Sequence, residues 1–281
     1  MRFDMSRAWN DAIARISANR EVMMVIAGVF FLLPSLVFSF FYSGTMTDLI
    51  ASLPQSGEAP VVNATALESM GMTLFFVFLA IGLVQMIGYT AMLAVLDDDR
   101  PTVGEALSRA IRFLPTLIGL LLLLIAVYFL VALLAGLVIG AIMAASGLVG
   151  LAILLGVIAF VGFCYLLTRI SLATAAMVYE RRLNPFSLLT RSWSLTGKDG
   201  WRLFGFYVLL FIVYMVISLI VGIVVGTIGG LMGTGSIALI VVGLISGAVG
   251  AAANTIFTGV IAAVYRQLAG PSTENLNQTF G

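Results

Sequence analysis

The sequence predicts an all-α, polytopic integral membrane protein with six transmembrane helices, and three observations carry that prediction. Of 281 residues, 61% are hydrophobic and only 10% are charged, which lies outside the range of a water-soluble globule. The apolar residues gather into long runs, and a helix needs about 20 such residues to cross a hydrocarbon core. Of the fourteen Lys and Arg residues, all but Arg169, near the end of the fourth run, lie outside those runs. None lies between the first and second, third and fourth, or fifth and sixth. Arg2, Arg7, Arg15 and Arg20 precede the first run, and Arg100, Arg109 and Arg112 lie between the second and third. Arg181, Arg182, Arg191, Lys198 and Arg202 separate the fourth from the fifth, and Arg266 follows the sixth. Short loops rich in Lys and Arg stay in the cytoplasm, so both termini are expected on the cytoplasmic side. Helices are expected because backbone groups in lipid must be satisfied within the segment, and the alternation of a barrel strand is missing.

The elements follow in order. Ser6–Ser17 sets Trp9, Ile13 and Ile16 on one side of a helix, with Asp11 and Arg15 elsewhere. The first span, residues 22–42, reads as uncleaved: Asp4, Asp11 and Glu21 precede it and no small-residue cleavage site follows. An outer loop from about Ser43 to Glu68 carries Asp48 and Glu58 but no positive charge. In it, Thr65 and Glu68 form a capping box expected to start the second span, residues 70–96. Pro101–Pro115 is a second amphipathic connection, with a capping box at Thr102 and Glu105. Leu107, Ala110, Ile111 and Leu114 share its apolar face. Spans at 114–145 and 147–179 follow, and then a third connection, Asn184–Trp193. There Asn184 caps, Pro185 suits the first turn, and Phe186, Leu189 and Trp193 share a face. Spans at 203–226 and 237–265 complete a single membrane domain of residues 1–270, leaving 271–281 as a polar tail. Amphipathic helices with basic and aromatic residues lie in the membrane interface, and Trp9, Trp193 and Trp201 all fall in these inner segments.

The three inner segments share a pattern of polar, apolar, apolar, small and Arg. It occurs at Asp11–Arg15, Glu105–Arg109 and Ser187–Arg191, each time ahead of a pair of spans. Ala91–Leu96, before the second copy, resembles Ala175–Glu180, before the third. The expected plan is three parallel repeats of an interfacial helix plus a membrane hairpin, at roughly 1–96, 97–180 and 181–270.

Absences narrow the chemistry. The chain has no histidine, which removes Ser-His-Asp triads and HExxH zinc sites. Cys164 is its one cysteine, so neither an intrachain disulfide nor a multi-cysteine metal site is expected. No Asp or Glu lies well inside a span, which argues against a carboxylate proton relay. No catalytic residue, metal or cofactor is assigned, and a net charge of +1 suggests no nucleic-acid partner. Arg169 stands out. A helix running straight to Tyr179 leaves it about 16 Å from Glu180, a depth costly for an unpaired charge. Three readings stay open: Arg169 binds a lipid phosphate or other anion, anchors at the interface, or pairs with Glu180. Gln85, Tyr89 and Asn254 are buried polar residues suited to interhelical hydrogen bonding or to lining a path.

Arg169–Glu180, Asn184–Gly197 and Gly200–Gly205 together resemble the bacterial membrane-domain family of glycerophosphoryl diester phosphodiesterases. The matching features are an R-x-S-L-A segment, a Glu, an R-S-W-x-L-T-x-G helix and a W-R pair. The resemblance implies a six-helix inner-membrane protein without the soluble phosphodiesterase domain that some relatives carry. By the same pattern, Arg169, Glu180, Arg191, Trp193, Trp201 and Arg202 are expected to gather at the inner headgroup level. Arg and Trp there suit phosphate and interface contacts. The sequence thus points to a non-enzymatic protein whose partners are membrane lipids, a second copy or another membrane protein, and which binds or organises anionic phospholipid. A small transporter or lipid flippase using Arg169 and the buried polar groups is the alternative.

Overall fold

The computed structural model describes residues 3–41, 64–97, 101–232 and 235–270. The tail 271–281 and most of the predicted outer loop lie outside the described residues. The fold is all-α: among the described residues no strand occurs, and six helices are long and apolar enough to cross a membrane.

The first helix, α1 (Met5–Ala18), starts where the Asp4 carboxylate accepts from the Arg7 N–H at 3.0 Å. Next, α2 (Arg20–Phe41) widens into a π turn at Gly28–Leu32, just ahead of Pro34. Helix α3 (Ala64–Val95) is already helical at Ala64, so Thr65 sits inside its first turn and not at the predicted cap. The capping box of Thr102 and Glu105 is present and opens α4 (Val103–Ser146). This 44-residue helix merges the predicted connection 101–115 with the third span. Pro115 lies inside it and removes only the bond that its own nitrogen would have donated. The remaining backbone groups have no better partner than the helix itself.

The predicted fourth span is broken. Helix α5 (Val149–Ile170) ends at a hitch over Ser171 and Leu172, and α6 (Ala173–Glu180) continues beyond it. Asn184 caps α7 (Pro185–Leu195), its side chain accepting from the Phe186 N–H at 3.0 Å. Two long helices follow, α8 (Gly200–Met232) and α9 (Ser236–Ala269).

The core lies at the Arg-rich end of the bundle. Ala91–Leu96, Ala175–Val178 and Val260–Tyr265 are buried on every side, as a helix apolar all round must be. These are the closing segments of α3, α6 and α9, which meet pairwise in one hydrophobic cluster. Each interfacial segment packs on one of them: α1 on α9, the start of α4 on α3, and α7 on α6. The first helix of the chain therefore packs on the last, and the same placement occurs three times, as the predicted repeat requires.

The inward faces match the expected ones only in part. Packed inward are Ala8 and Ala12 on α1, Ala106 and Ala110 on α4, and Leu188 and Ser192 on α7. Of the expected faces, Ala110 is buried and Ile16 and Leu189 pack against the core, whereas Trp9, Ile13, Ile111, Phe186 and Trp193 are exposed. Small residues let an interfacial helix approach the bundle closely, while the aromatic stripe is left for the lipid side. At the α1–α9 contact, a Cβ on Gly259 would stand 2.5 Å from Ile16 Cδ1, so glycine there makes the seat for α1.

Candidate functional site

The hitch at Ser171–Leu172 frees backbone groups that a straight helix would satisfy. Helix α7 supplies the partners. Ser192 Oγ donates to the Arg169 carbonyl at 2.8 Å and accepts from the Leu172 N–H at 3.2 Å. Thr196 Oγ1 reaches the same carbonyl at 3.2 Å. Ser171 Oγ donates to the Thr168 carbonyl at 2.8 Å and lies 3.2 Å from the Tyr207 hydroxyl. Ser192 and Thr196 are fully buried. The conspicuous run Arg191-Ser-Trp-Ser-Leu-Thr196 is thus, in part, the set of side chains that splices a broken helix.

Arg169 sits at this splice. The residue is only 7% exposed, and its Nε and Nη1 have no hydrogen-bond partner among the described residues. The guanidinium lies over the Trp193 ring, 4.3 Å from its centroid. Its other neighbour is the start of α8. A Cβ on Gly200 would stand 2.8 Å from the Tyr165 hydroxyl and 3.3 Å from Arg169 Nη1. Tyr165 in turn stacks on Trp201 at 4.6 Å, and Phe204 meets both rings edge-on. A buried cation, an aromatic wall and the start of a long helix therefore lie side by side, and a cation and a helix N-terminus each favour an anion.

Glu180 is engaged elsewhere, which removes the pairing with Arg169. Its Oε1 accepts from Arg191 Nε at 2.6 Å and from the Tyr265 hydroxyl at 2.5 Å. Arg182 Nε faces Oε2 at 2.6 Å as an ion pair whose geometry falls short of a hydrogen bond. Burial works against the Arg191 guanidinium, but the Glu180 hydrogen bond and charge outweigh it and hold it above the ordinary arginine range. This cluster joins α6, α7 and α9. Its counterpart on α3 has Arg266 Nη2 at 3.4 Å from Asp97 Oδ1 and 3.1 Å from the Leu96 carbonyl, with Arg15 Nη1 at 3.5 Å from that carbonyl.

The six predicted headgroup residues thus divide. Arg169, Trp193 and, through Tyr165, Trp201 form one site. Glu180 and Arg191 form a separate brace. Arg202 lies 4.0 Å from Asp199 Oδ1, and Oδ2 of that carboxylate accepts from the Phe3 N–H at 3.2 Å. Among the predicted buried polar residues, Tyr89 packs against the core. Asn254 is exposed, and its Nδ2 donates to the Gly250 carbonyl at 2.9 Å. Gln85 lines a crevice of about 440 Å³ between α2, α3 and α9.

Tyr165, Gly200, Ser192 and Thr196 escape a reading that looks for charge. No family model, curated protein or solved structure matches the chain, and what the site does is read from its own geometry.

Proposed function

We propose that this multi-pass membrane protein is a non-enzymatic inner-membrane protein that binds anionic phospholipid at its cytoplasmic face, with both termini on that side. The Arg-rich loops support the orientation. The motif around Arg169, Ser192 and Trp201 supports kinship with the membrane-domain family of glycerophosphoryl diester phosphodiesterases. The single observation that carries the function is Arg169, a residue 7% exposed whose buried Nε and Nη1 have no partner among the described residues and whose guanidinium lies over Trp193. A buried charge left unpaired is strongly unfavourable, and a headgroup phosphate supplies the missing charge and acceptors. Trp193 and Trp201, both exposed, suit the interface around such a headgroup.

Tryptophan fluorescence tests this, because Trp193 and Trp201 border the site. Titrating the detergent-solubilised protein with short-chain phosphatidylglycerol should give a saturable change that phosphatidylcholine does not. The change should disappear in Arg169→Met and weaken in Arg169→Lys, which keeps the charge but loses the planar fork. Equal responses in wild type and Arg169→Met would refute lipid binding at this site.

A second reading, a small transporter or flippase whose path joins Arg169 to Gln85, draws on the crevice at Gln85. It requires substrate-dependent flux in proteoliposomes that Arg169→Ala abolishes. Flux unaffected by that substitution would remove it.

A further inference from the structure

We propose a second, separate binding site in the crevice at Gln85, which takes an uncharged membrane amphiphile bearing a hydroxyl or ester group, of the diacylglycerol kind. Its described lining comes from three helices: Pro34, Ser35, Phe38 and Ser39 on α2, the stretch from Phe78 to Gln85 on α3, and Gly243, Ser246 and Gly247 on α9. The volume of about 440 Å³ falls within the range of small-molecule sites, about 300–1,000 Å³.

Three features mark it as built and not as a packing gap. First, the α2 wall is irregular: the π turn Gly28–Leu32 leads directly into Pro34, and π turns gather at functional positions. Second, the glycines divide their work. A Cβ on Gly243 would stand 2.9 Å from Leu36 Cδ2, and one on Gly247 3.3 Å from Ser35 Cβ, so these two bring α9 against α2. Gly82, by contrast, has no atom of the described residues within 4 Å of its Cβ position and leaves the crevice open among them. Third, the lining holds Gln85, Ser39 and Ser246 beside Phe38, Phe78 and Ile81, and no charged side chain among the described residues.

That chemistry selects the ligand. An amide and hydroxyls orient a neutral hydrogen-bonding group, the aromatics cover an alkyl tail, and no cation is present to recover the desolvation of a phosphate. Gln85 lies ten residues from the end of α3 at Val95, about 15 Å of helix, so an amphiphile reaches it from within the membrane.

The test is photolabelling in phosphatidylcholine nanodiscs with a diacylglycerol that carries a diazirine in one acyl tail. The labelled residues are mapped by peptide mass spectrometry. Label should concentrate on Phe38, Phe78 and Ile81 above the lipid-facing background at Leu122 and Phe129. Gly82→Leu, which grows a side chain into open space, should return it to background. Gln85→Leu, nearly isosteric and expected to fold, should weaken it roughly three- to tenfold, the loss of one hydrogen bond. Arg169→Met should leave it unchanged, which separates this site from the anionic one. Label equal to background in the wild type, or insensitive to both Gly82→Leu and Gln85→Leu, would overturn the proposal and leave a water-filled crevice. Loss of crevice label in Arg169→Met would overturn its independence.

Discussion

Among the described residues Arg169 is a charge without a counter-charge, held by residues that do not neutralise it. Trp193 offers a ring face, Gly200 offers room, and Ser192 and Thr196 bind the backbone carbonyl of Arg169 and leave its guanidinium alone. The splice and the cation are thus separable by substitution. Ser192→Ala leaves the Leu172 N–H unsatisfied in a buried position, at a cost of about 1–3 kcal/mol. Equilibrium unfolding in mixed micelles should show that loss, whereas exposed Ser194→Ala should stay within about 0.5 kcal/mol. Equal effects would mean that the splice contributes nothing. The sequence displayed Arg169, Trp193 and Trp201 because charge and indole are conspicuous in an apolar chain. It hid the splice, because a hitch at Ser171–Leu172 needs no proline or glycine when Ser and Thr from another helix satisfy the freed groups.

Among the elements, the interfacial helices show most clearly what periodicity can and cannot resolve. The amphipathic pattern located all three, and the capping box at Thr102 and Glu105 and the cap at Asn184 are where the sequence set them. The inward face was read only in part: Ala110, Ile16 and Leu189 pack inward, but Trp9, Ile13, Ile111 and Trp193 do not. An amphipathic helix in an interface has two non-polar contacts, lipid and bundle, and the large side chains that dominate the pattern belong to the lipid side. The bundle side is recognised by size, as at Ala8, Ala12, Ala106 and Ala110. The seat of α1 is the sharpest case, because Gly259 meets both Ile16 and the Ala12 carbonyl. Gly259→Leu should lift α1 from α9 while the spans stay folded. Limited trypsin digestion should then cleave after Arg15 several-fold faster with the helical circular dichroism unchanged. No change in cleavage would show that α1 is not held by this contact. Pro115 is the opposite lesson: proline read as a boundary is carried inside a single helix, because lipid offers its neighbours no alternative partner.

For the molecule as a whole, the three-fold placement accounts for where polar groups sit. Closing segments of α3, α6 and α9 make the core, and the braces at Glu180 and Asp97 tie neighbouring repeats at the Arg-rich end. The six spans and the repeat were legible because composition and charge placement are global signals. Which copy holds a ligand was not, because that depends on what the neighbouring helix brings: Trp193 and Gly200 to Arg169, a proline-bearing α2 to Gln85, and for Asn254 its own Gly250 carbonyl. The central claim is that Arg169 holds an anionic lipid. Native mass spectrometry of the protein released from its own membrane, wild type beside Arg169→Met, tests it most directly. The account predicts a defined anionic phospholipid that stays on the wild type through collisional activation and is absent from the variant. A bare wild-type protein, or the same lipids on both, would contradict it and leave Arg169 a packing residue.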